Sequence, residues 1–128
     1  MLVLACQPAR SPVELEFDVR YGAAPILCTS SDDTIALSDA RFFVHDVYLL
    51  AASGDRVPVE LNVRPPWQTS DVALLDLEDG SGECRNGSPE TNMRISGFVP
   101  VGDYQGVAFT IGVPESLNHS DPLRATAP

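Results

Sequence analysis

The fold of this protein is decided by residues 41–50, which read RFFVHDVYLL. Aromatic and β-branched side chains dominate this run, and a turn sequence, Ser53-Gly54-Asp55, follows it, so the run predicts a β-strand. Beyond the turn, residues 56–63 alternate between polar and apolar side chains, which predicts a second strand and hence a β-hairpin. Pro58 places this second strand at a sheet edge or a bulge, because proline donates no hydrogen bond to a ladder.

Further strands are predicted on both sides of the hairpin. Residues 13–21 alternate with period two, which indicates a half-buried strand with Val13, Leu15, Phe17, Val19 and Tyr21 pointing inward. Residues 71–78 favour either a buried strand or one short helix. Residues 93–99 and 104–113 predict two strands joined by a tight hairpin connection between them.

The composition supports an all-β protein. The chain has 128 residues, enough for one domain with its own core, and 11 Pro and 9 Gly spread along it leave few windows for a helix of ordinary length. Short strands separated by frequent turns predict an antiparallel β-sandwich or barrel, and residues 114–128 are expected to form a loop.

The charge argues against two kinds of binding partner. All eight basic residues are Arg, and 18 acidic residues give a formal net charge of −10. A nucleic-acid-binding protein needs a basic face that neutralises phosphates, and anionic lipid head groups select for the same charge. Neither kind of binding is expected here.

The N-terminus carries a short processing motif. Residues 3–6, Val-Leu-Ala-Cys, resemble the lipobox at which bacterial lipoproteins are cleaved and lipidated on cysteine. The alternative is an N-terminal cysteine without a role. We therefore expect Cys6 to be a lipidation site and residues 1–12 to be the remnant of a lipoprotein signal peptide with its linker.

The other two cysteines, Cys28 and Cys84, are expected to pair. An exported chain lies in an oxidising compartment, and a disulfide closing a loop of this length stabilises a fold by about 4 kcal/mol. The alternative is a pair of thiolates that bind a soft metal, which is less favoured because neither cysteine belongs to a CxxC motif or has a histidine nearby.

Few side chains suggest chemistry of another kind. No GxSxG motif and no set of nucleophile, acid and base stand out, so we expect a protein that is not an enzyme. Two imidazoles, His45 and His119, can hold copper together with one further ligand, since Cu(I) accepts two or three donors. The alternative is that both are ordinary polar residues and that the single tryptophan, Trp67, is a core or rim aromatic.

Several phrases of the sequence, in order along the chain, resemble the MbnP family of exported copper-binding proteins. They are residues 41–47 (RFFVHDV), 67–68 (WQ), 72–84 (VALLDLEDGSGEC), 97–104 (GFVPVGDY) and 109–119 (FTIGVPESLNH). Family members usually continue past the Asn118-His119 phrase with further strands. The resemblance therefore implies an incomplete MbnP-like domain at residues 13–128, an antiparallel β-sandwich of immunoglobulin-like or jelly-roll-like form that lacks its last strands.

The resemblance also implies a function. It predicts a protein of the periplasm, or anchored to the outer membrane, that binds copper through His45 and His119 and through Trp67 after oxidation to kynurenine. It implies a partner for that oxidation, a di-haem protein of the MbnH type. Copper acquisition, storage or redox buffering would be the role. The alternative is a structural or recognition β-sandwich of the bacterial cell envelope in which no metal takes part.

Overall fold

The computed structural model describes residues 8–29, 35–119, 121, 123 and 124. Antiparallel β-strands account for nearly all of the regular structure in this part of the chain, as the sequence predicts. The elements are β1 (Arg10–Glu16), β2 (Arg20–Tyr21), β3 (Ala24–Pro25), β4 (Arg41–Ala51), β5 (Arg56–Pro58), β6 (Glu60–Leu61), β7 (Val72–Asp76), β8 (Arg94–Pro100), β9 (Tyr104–Ile111) and the helix α1 (Glu115–Asn118).

Two sheets face each other across one core. The first has the strand order β1-β8-β6, and the second is built on the long strand β4. Strands β5 and β7 follow one another along one edge of β4, and β9 covers the other edge. The core between the sheets is formed by the buried side chains Val44, Val47, Leu49, Val59, Leu61, Ala73, Leu75, Ile95 and Val99. The expected all-β sandwich is therefore confirmed.

A β-bulge in β4 changes which side chains reach the core. His45 pairs with Thr110 and Tyr48 with Ala108, so Asp46 and Val47 together oppose a single residue of β9. Side chains alternate between the faces of a strand, so an extra residue shifts the alternation by one. Val44 and Val47 are consequently both buried, while His45 lies on the opposite face.

The predicted hairpin forms only in its first part. Leu49 pairs with Val57 and Leu50 with Arg56, as expected for strands that flank the turn at residues 52–55. The prediction of one continuous second strand over residues 56–63 is wrong, because β5 ends at Pro58 and β6 then pairs with β8 in the other sheet. The N–H of Val59 donates one more hydrogen bond to β4, at the carbonyl of Val47, and the chain then crosses to the other sheet.

The predicted hairpin between the last two strands is also wrong. Both strands exist, but β8 pairs with β1 and β6, whereas β9 pairs with β4. Residues 101–103 therefore form an arch between the sheets. The Tyr104 hydroxyl donates a hydrogen bond of 2.6 Å to the carbonyl of Pro100 across this arch, an arrangement that recurs at the corners of β-sandwiches.

Of the remaining predictions, some are confirmed and others are wrong. Residues 72–76 form a strand rather than a helix. Strand β1 begins earlier than the predicted residue 13, and Val13, Leu15 and Phe17 pack on the core as expected. Tyr21, expected to point inward, is 68% exposed because the alternating run breaks after β1 and its end forms the small β2–β3 hairpin. The expected C-terminal loop contains the four-residue helix α1.

Within the described residues, no helix has the length and apolar character required to cross a membrane. The lipidation site expected at Cys6 lies outside the described residues.

Candidate functional site

His45 is held in a defined orientation by the end of β9. Its Nδ1 atom lies 3.0 Å from the carbonyl oxygen of Gly112, and its side chain is 14% exposed. A carbonyl oxygen only accepts hydrogen bonds, so Nδ1 carries the proton, and Nε2 of the neutral ring keeps a free lone pair. Metal-binding histidines are commonly fixed in this way, by a hydrogen bond from the ring nitrogen that does not touch the metal.

The residues beside the contact between His45 and Gly112 have unusual backbone conformations. Gly112 donates its N–H to the carbonyl of Phe43 at 2.7 Å and adopts a φ of +123°, a conformation that favours glycine. Asp46 follows His45 at the bulge with a φ of +50°, which is unusual for a residue other than glycine. Its carboxylate Oδ2 lies 3.6 Å from His45 Nε2, so the free ring nitrogen has an anionic oxygen beside it.

His119 follows the strand that contacts His45. The chain leaves β9 at Ile111, contacts His45 through Gly112, and enters α1 three residues after Gly112. His119 is the residue that ends α1, and it is exposed. Both histidines are thus carried by the segments around the C-terminal end of β9.

Trp67 is placed by a closed loop on the opposite edge of β7. Its carbonyl accepts a hydrogen bond of 2.7 Å from the N–H of Leu74, and the loop is closed by backbone hydrogen bonds between Arg64 and Gln68. The peptide bond between Pro65 and Pro66 inside this loop is cis.

Gln68 anchors this loop to the other sheet. The side chain is fully buried, and its Nε2 donates to the carbonyls of Asn62 and Ser96, both at 2.7 Å. Its Oε1 accepts the N–H of Ser96 at 3.1 Å. All the polar atoms of the amide are therefore paired, and the position of the neighbouring Trp67 backbone is fixed.

Trp67 lines a cleft of about 640 Å³. Two arginines, Arg64 and Arg94, and two carboxylates, Glu16 and Asp18, share its walls. The Arg64 guanidinium donates from Nη2 to the side-chain oxygen of Asn92 at 2.8 Å, whereas its buried Nε has no hydrogen-bond partner. Among the residues that the structure describes, this lining includes neither histidine.

The disulfide expected from the sequence is present between Cys28 and Cys84. Their Cα atoms are 5.4 Å apart, and the bridge joins the loop after β3 to the loop before β8. A carboxylate oxygen of Glu78 lies within 4.8 Å of both sulfur atoms, and all three residues are buried. Within the described ranges this is the one group of three histidine, cysteine or acidic side chains close enough to share a metal ion.

A second buried carboxylate, that of Asp76, lies close to Glu78. Burial raises the pKa of Asp76, and the negative charge of Glu78 acts in the same direction, while the N–H of Glu78 and the cation of Arg41 oppose the shift. The turn after Glu78 is therefore densely acidic and is balanced mainly by Arg41, whose Nε lies 3.4 Å from Glu78 Oε1.

Sequence reasoning did not find three residues that organise these sites. Gly112, Gln68 and Glu78 belong to the phrases that resemble the MbnP family, but no role was predicted for any of the three. The contacts that give them roles join positions far apart in the chain, such as His45 with Gly112. No local pattern reports such a contact.

The fold and the site define a class: a small all-β sandwich that presents an oriented histidine at a bulged strand and carries one disulfide. Comparison with known proteins identifies the family. The sequence profile of the MbnP family matches residues 10–128, and the chain belongs to that family.

The solved structure of MbnP from Methylosinus trichosporium is similar to this chain, with a TM-score of 0.70 and 26% sequence identity. The match covers 94% of this chain and 48% of that protein, so the chain spans about half the length of its structural relative. A search of curated proteins found no match.

Proposed function

We propose that this protein binds copper in the bacterial cell envelope and is not an enzyme. The observation that carries the proposal is the hydrogen bond from His45 Nδ1 to Gly112 O, which leaves Nε2 as a free donor atom for a metal. Imidazole nitrogen is a ligand that suits copper in both of its common oxidation states.

The surroundings of His45 support a metal ligand more than a structural histidine. A histidine that serves only packing needs no second polar group at its free nitrogen, but here the Asp46 carboxylate lies 3.6 Å away. Asp46 also has a φ of +50°, a conformation that costs roughly 1–3 kcal/mol at a residue other than glycine. Such conformations are concentrated at functional sites.

His119 and Trp67 complete the proposed ligand set. His119 follows the same end of β9 that holds His45, which favours a shared role for the two imidazoles. Trp67 is proposed to be oxidised to kynurenine, whose aromatic amine is a further nitrogen ligand. The oxidant in this proposal is a di-haem protein of the MbnH type, and copper acquisition, storage or redox buffering is the proposed role.

The proposal places the protein in the periplasm or on the outer membrane through a lipid on Cys6. Replacing Cys6 with serine should move the protein from the membrane fraction to the soluble fraction of fractionated cells. Membrane association that persists in Cys6→Ser would contradict the lipid anchor without affecting the proposed copper site.

Copper binding is tested by titrating the purified protein and counting bound ions by native mass spectrometry. Wild type should bind one copper ion, and His45→Ala should lose it. The double variant His45→Ala/His119→Ala should bind none. Asp121→Ala is a matched control on the surface after His119, and it should bind as wild type does. Copper binding that is absent from wild type, or unchanged in the double variant, would reject the proposal.

The kynurenine is tested separately by peptide mapping. The protein is co-expressed with its di-haem partner, and the tryptic peptide that contains Trp67 is sequenced by mass spectrometry. We expect a modified residue at position 67 that disappears when the haem protein is omitted. An unmodified peptide from the co-expressed protein would contradict the oxidation and leave the histidine ligands to be judged by the titration.

One observation favours the alternative function, a recognition module without a metal. Trp67 lines a cleft whose size is typical of small-molecule sites, between about 300 and 1,000 Å³, and the described lining holds no histidine. Under this alternative, Trp67→Ala removes ligand binding, whereas His45→Ala has no effect. The copper titration separates the two functions, because only the copper proposal predicts a loss in His45→Ala.

A further inference from the structure

The disulfide and the carboxylate beside it form the second site to which the structure assigns chemistry. We propose that Cys28, Cys84 and Glu78 are a redox-gated site for Zn²⁺, closed while the cysteines are bridged and opened when a dithiol reduces them. This site shares no residue with the proposed copper site and lies beyond the function proposed above.

The first support is the placement of three potential ligand atoms. The two sulfur atoms and one Glu78 oxygen lie within 4.8 Å of one another, and the three residues are 5%, 0% and 2% exposed. Two sulfurs of a tetrahedral zinc ion, each at about 2.3 Å from the metal, are roughly 3.8 Å apart. Breaking the bridge lets the sulfurs separate to that distance, because the Cα atoms already stand 5.4 Å apart.

The second support is a buried oxygen of Glu78 that accepts no hydrogen bond. The Oε2 atom accepts the N–H of Gly80 at 2.7 Å, whereas Oε1 accepts none and has as its charged neighbour the Nε of Arg41, at an ion-pair distance of 3.4 Å. Bridged sulfur atoms cannot donate to this oxygen, whereas a bound cation would satisfy its remaining lone pair.

The carboxylate is also held in place from behind. The Cα atom of Gly87 packs against Glu78, and a Cβ at that position would overlap the carboxylate. On its other side, Arg41 Nε lies 3.4 Å from Oε1. Glu78 is thus confined between a glycine and an arginine, with one carboxylate oxygen within 4.8 Å of both sulfur atoms.

The chemistry of opening balances as a thiol–disulfide exchange. A dithiol transfers two electrons and two protons, the bond between the Cys28 and Cys84 sulfurs breaks, and the dithiol becomes a cyclic disulfide. Binding of Zn²⁺ then displaces a proton from each of the two thiols to the solvent, while Glu78 binds as the carboxylate.

Ligand type favours Zn²⁺ over Cu(I) at this site. Zinc accepts thiolates and carboxylates together, whereas Cu(I) prefers sulfur and imidazole ligands to a carboxylate.

The test is a zinc titration of the full chain against a chromophoric chelator, before and after reduction with a phosphine. The reduced protein should bind one equivalent of Zn²⁺, and the oxidised protein should bind none with comparable affinity. Glu78→Gln should weaken zinc binding about tenfold or more, and Cys28→Ser/Cys84→Ser should abolish it. Glu83→Gln, a neighbouring carboxylate with a 58% exposed side chain, is the matched control and should bind as wild type does.

Circular dichroism keeps the test decisive if reduction unfolds the protein. In that case one equivalent of Zn²⁺ should restore the β-sheet spectrum, because binding at a structural metal site is coupled to folding. The proposal is overturned if zinc neither binds the reduced protein nor restores its spectrum, or if Glu78→Gln binds zinc as tightly as wild type. Binding of Cu(I) without binding of Zn²⁺ would overturn the choice of metal. His45→Ala should leave zinc binding unchanged, which separates this result from that of the copper titration.

Discussion

Strands β7 and β9 both pair with β4, yet they differ in almost every other respect. In β7, Val72, Ala73, Leu75 and Asp76 are all buried. In β9, three side chains on the core side of the sheet, Val107, Phe109 and Ile111, remain 43%, 38% and 66% exposed. Pairing with the same central strand has therefore not produced the same burial.

The difference arises from what lies beyond each strand. The far edge of β7 is covered by hydrogen bonds to the Trp67 carbonyl and to Asn92, and Gln68 joins that edge to the other sheet. On the β9 side, the described residues supply mainly Phe17, whose ring meets Phe109 edge-on at 5.6 Å. A ladder of hydrogen bonds aligns a strand, but only a facing layer removes its side chains from water.

The well-buried side of the sheet and the side that carries the proposed copper ligand are therefore different. The β7 side contains the most buried side chains, whereas the oriented His45 and the bulge at Asp46 face the β9 ladder. Regions with few buried contacts open most readily, and binding sites are drawn from them. The following predictions test how far the two sides differ.

The largest difference in stability is expected from truncating one apolar side chain on each side of β4. Leu75→Ala should lower the free energy of unfolding by about 2–5 kcal/mol, because Leu75 is fully buried in the core. Val107→Ala should cost under about 1 kcal/mol, since a large part of that side chain already meets water. Urea denaturation of both variants measures the two losses in the free energy of unfolding. Equal losses would contradict the difference in burial between β7 and β9.

A second contrast concerns two glutamines. Gln68→Leu should cost about 1–3 kcal/mol, because it leaves the carbonyl of Asn62 without its side-chain donor and the N–H of Ser96 without its acceptor. Gln105→Leu, at an exposed position of β9, should change stability by no more than about 0.5 kcal/mol. Thermal unfolding of the two variants gives the comparison. A Gln68→Leu variant as stable as wild type would show that the loop carrying Trp67 is anchored by other contacts.

The bulge on the β9 side is tested by two substitutions at one position. Asp46→Ala should destabilise the protein by roughly 1 kcal/mol more than Asp46→Gly does, because alanine keeps the cost of a positive φ and glycine does not. Both variants lack the carboxylate beside His45 Nε2, so they should affect copper affinity equally. Chemical denaturation and copper titration together separate the backbone contribution from that of the carboxylate.

The smallest expected effect is a dependence on pH at the end of β7. Burial raises the pKa of Asp76 in the folded state above its usual value of 3.8, so the folded protein binds this proton more tightly than the unfolded chain does. Stability from this group is complete below pH 3.8 and is lost as the pH rises through the folded-state pKa. Asp76→Asn should therefore be more stable than wild type at pH 7, and the advantage should vanish in acid.

Asp79 provides the control of opposite sign. A hydrogen bond from the Ser81 side chain lowers the pKa of Asp79, so its contribution is present above pH 3.8 and is lost as the pH falls through the folded-state pKa. Asp79→Asn should be less stable than wild type at pH 7, with the difference shrinking in acid. Unfolding curves at several pH values that show the same trend for both variants would contradict these assignments.

The strands themselves were largely predictable from local pattern. The apolar run at residues 41–50 and the alternation at residues 13–17 report burial directly, because neighbouring side chains of a strand point to opposite faces. The pairing of the strands with one another was predicted less well. The chain appeared to form a hairpin across residues 100–103, but whether a short connection turns back or arches to another sheet depends on the packing of residues distant in the sequence.

The candidate sites show the same division. His45, His119, Trp67 and the two cysteines were found from residue type and motif, and the pairing of Cys28 with Cys84 agrees with the structure. The Gly112 carbonyl at His45 and the buried Glu78 carboxylate beside the disulfide were not predicted. Each is a contact between segments tens of residues apart, and its existence depends on which strands became neighbours.

The sequence by itself determined that this protein is an acidic, all-β chain of the MbnP type with two histidines, one tryptophan and a pair of cysteines available for chemistry. Composition and alternation suffice for that, since they act over a few neighbouring residues. Only the tertiary structure decided that one bulge turns His45 away from the core and that Trp67 lines a cleft whose described residues include neither histidine. It also decided that a buried carboxylate meets the disulfide, because such contacts arise where two sheets close on each other.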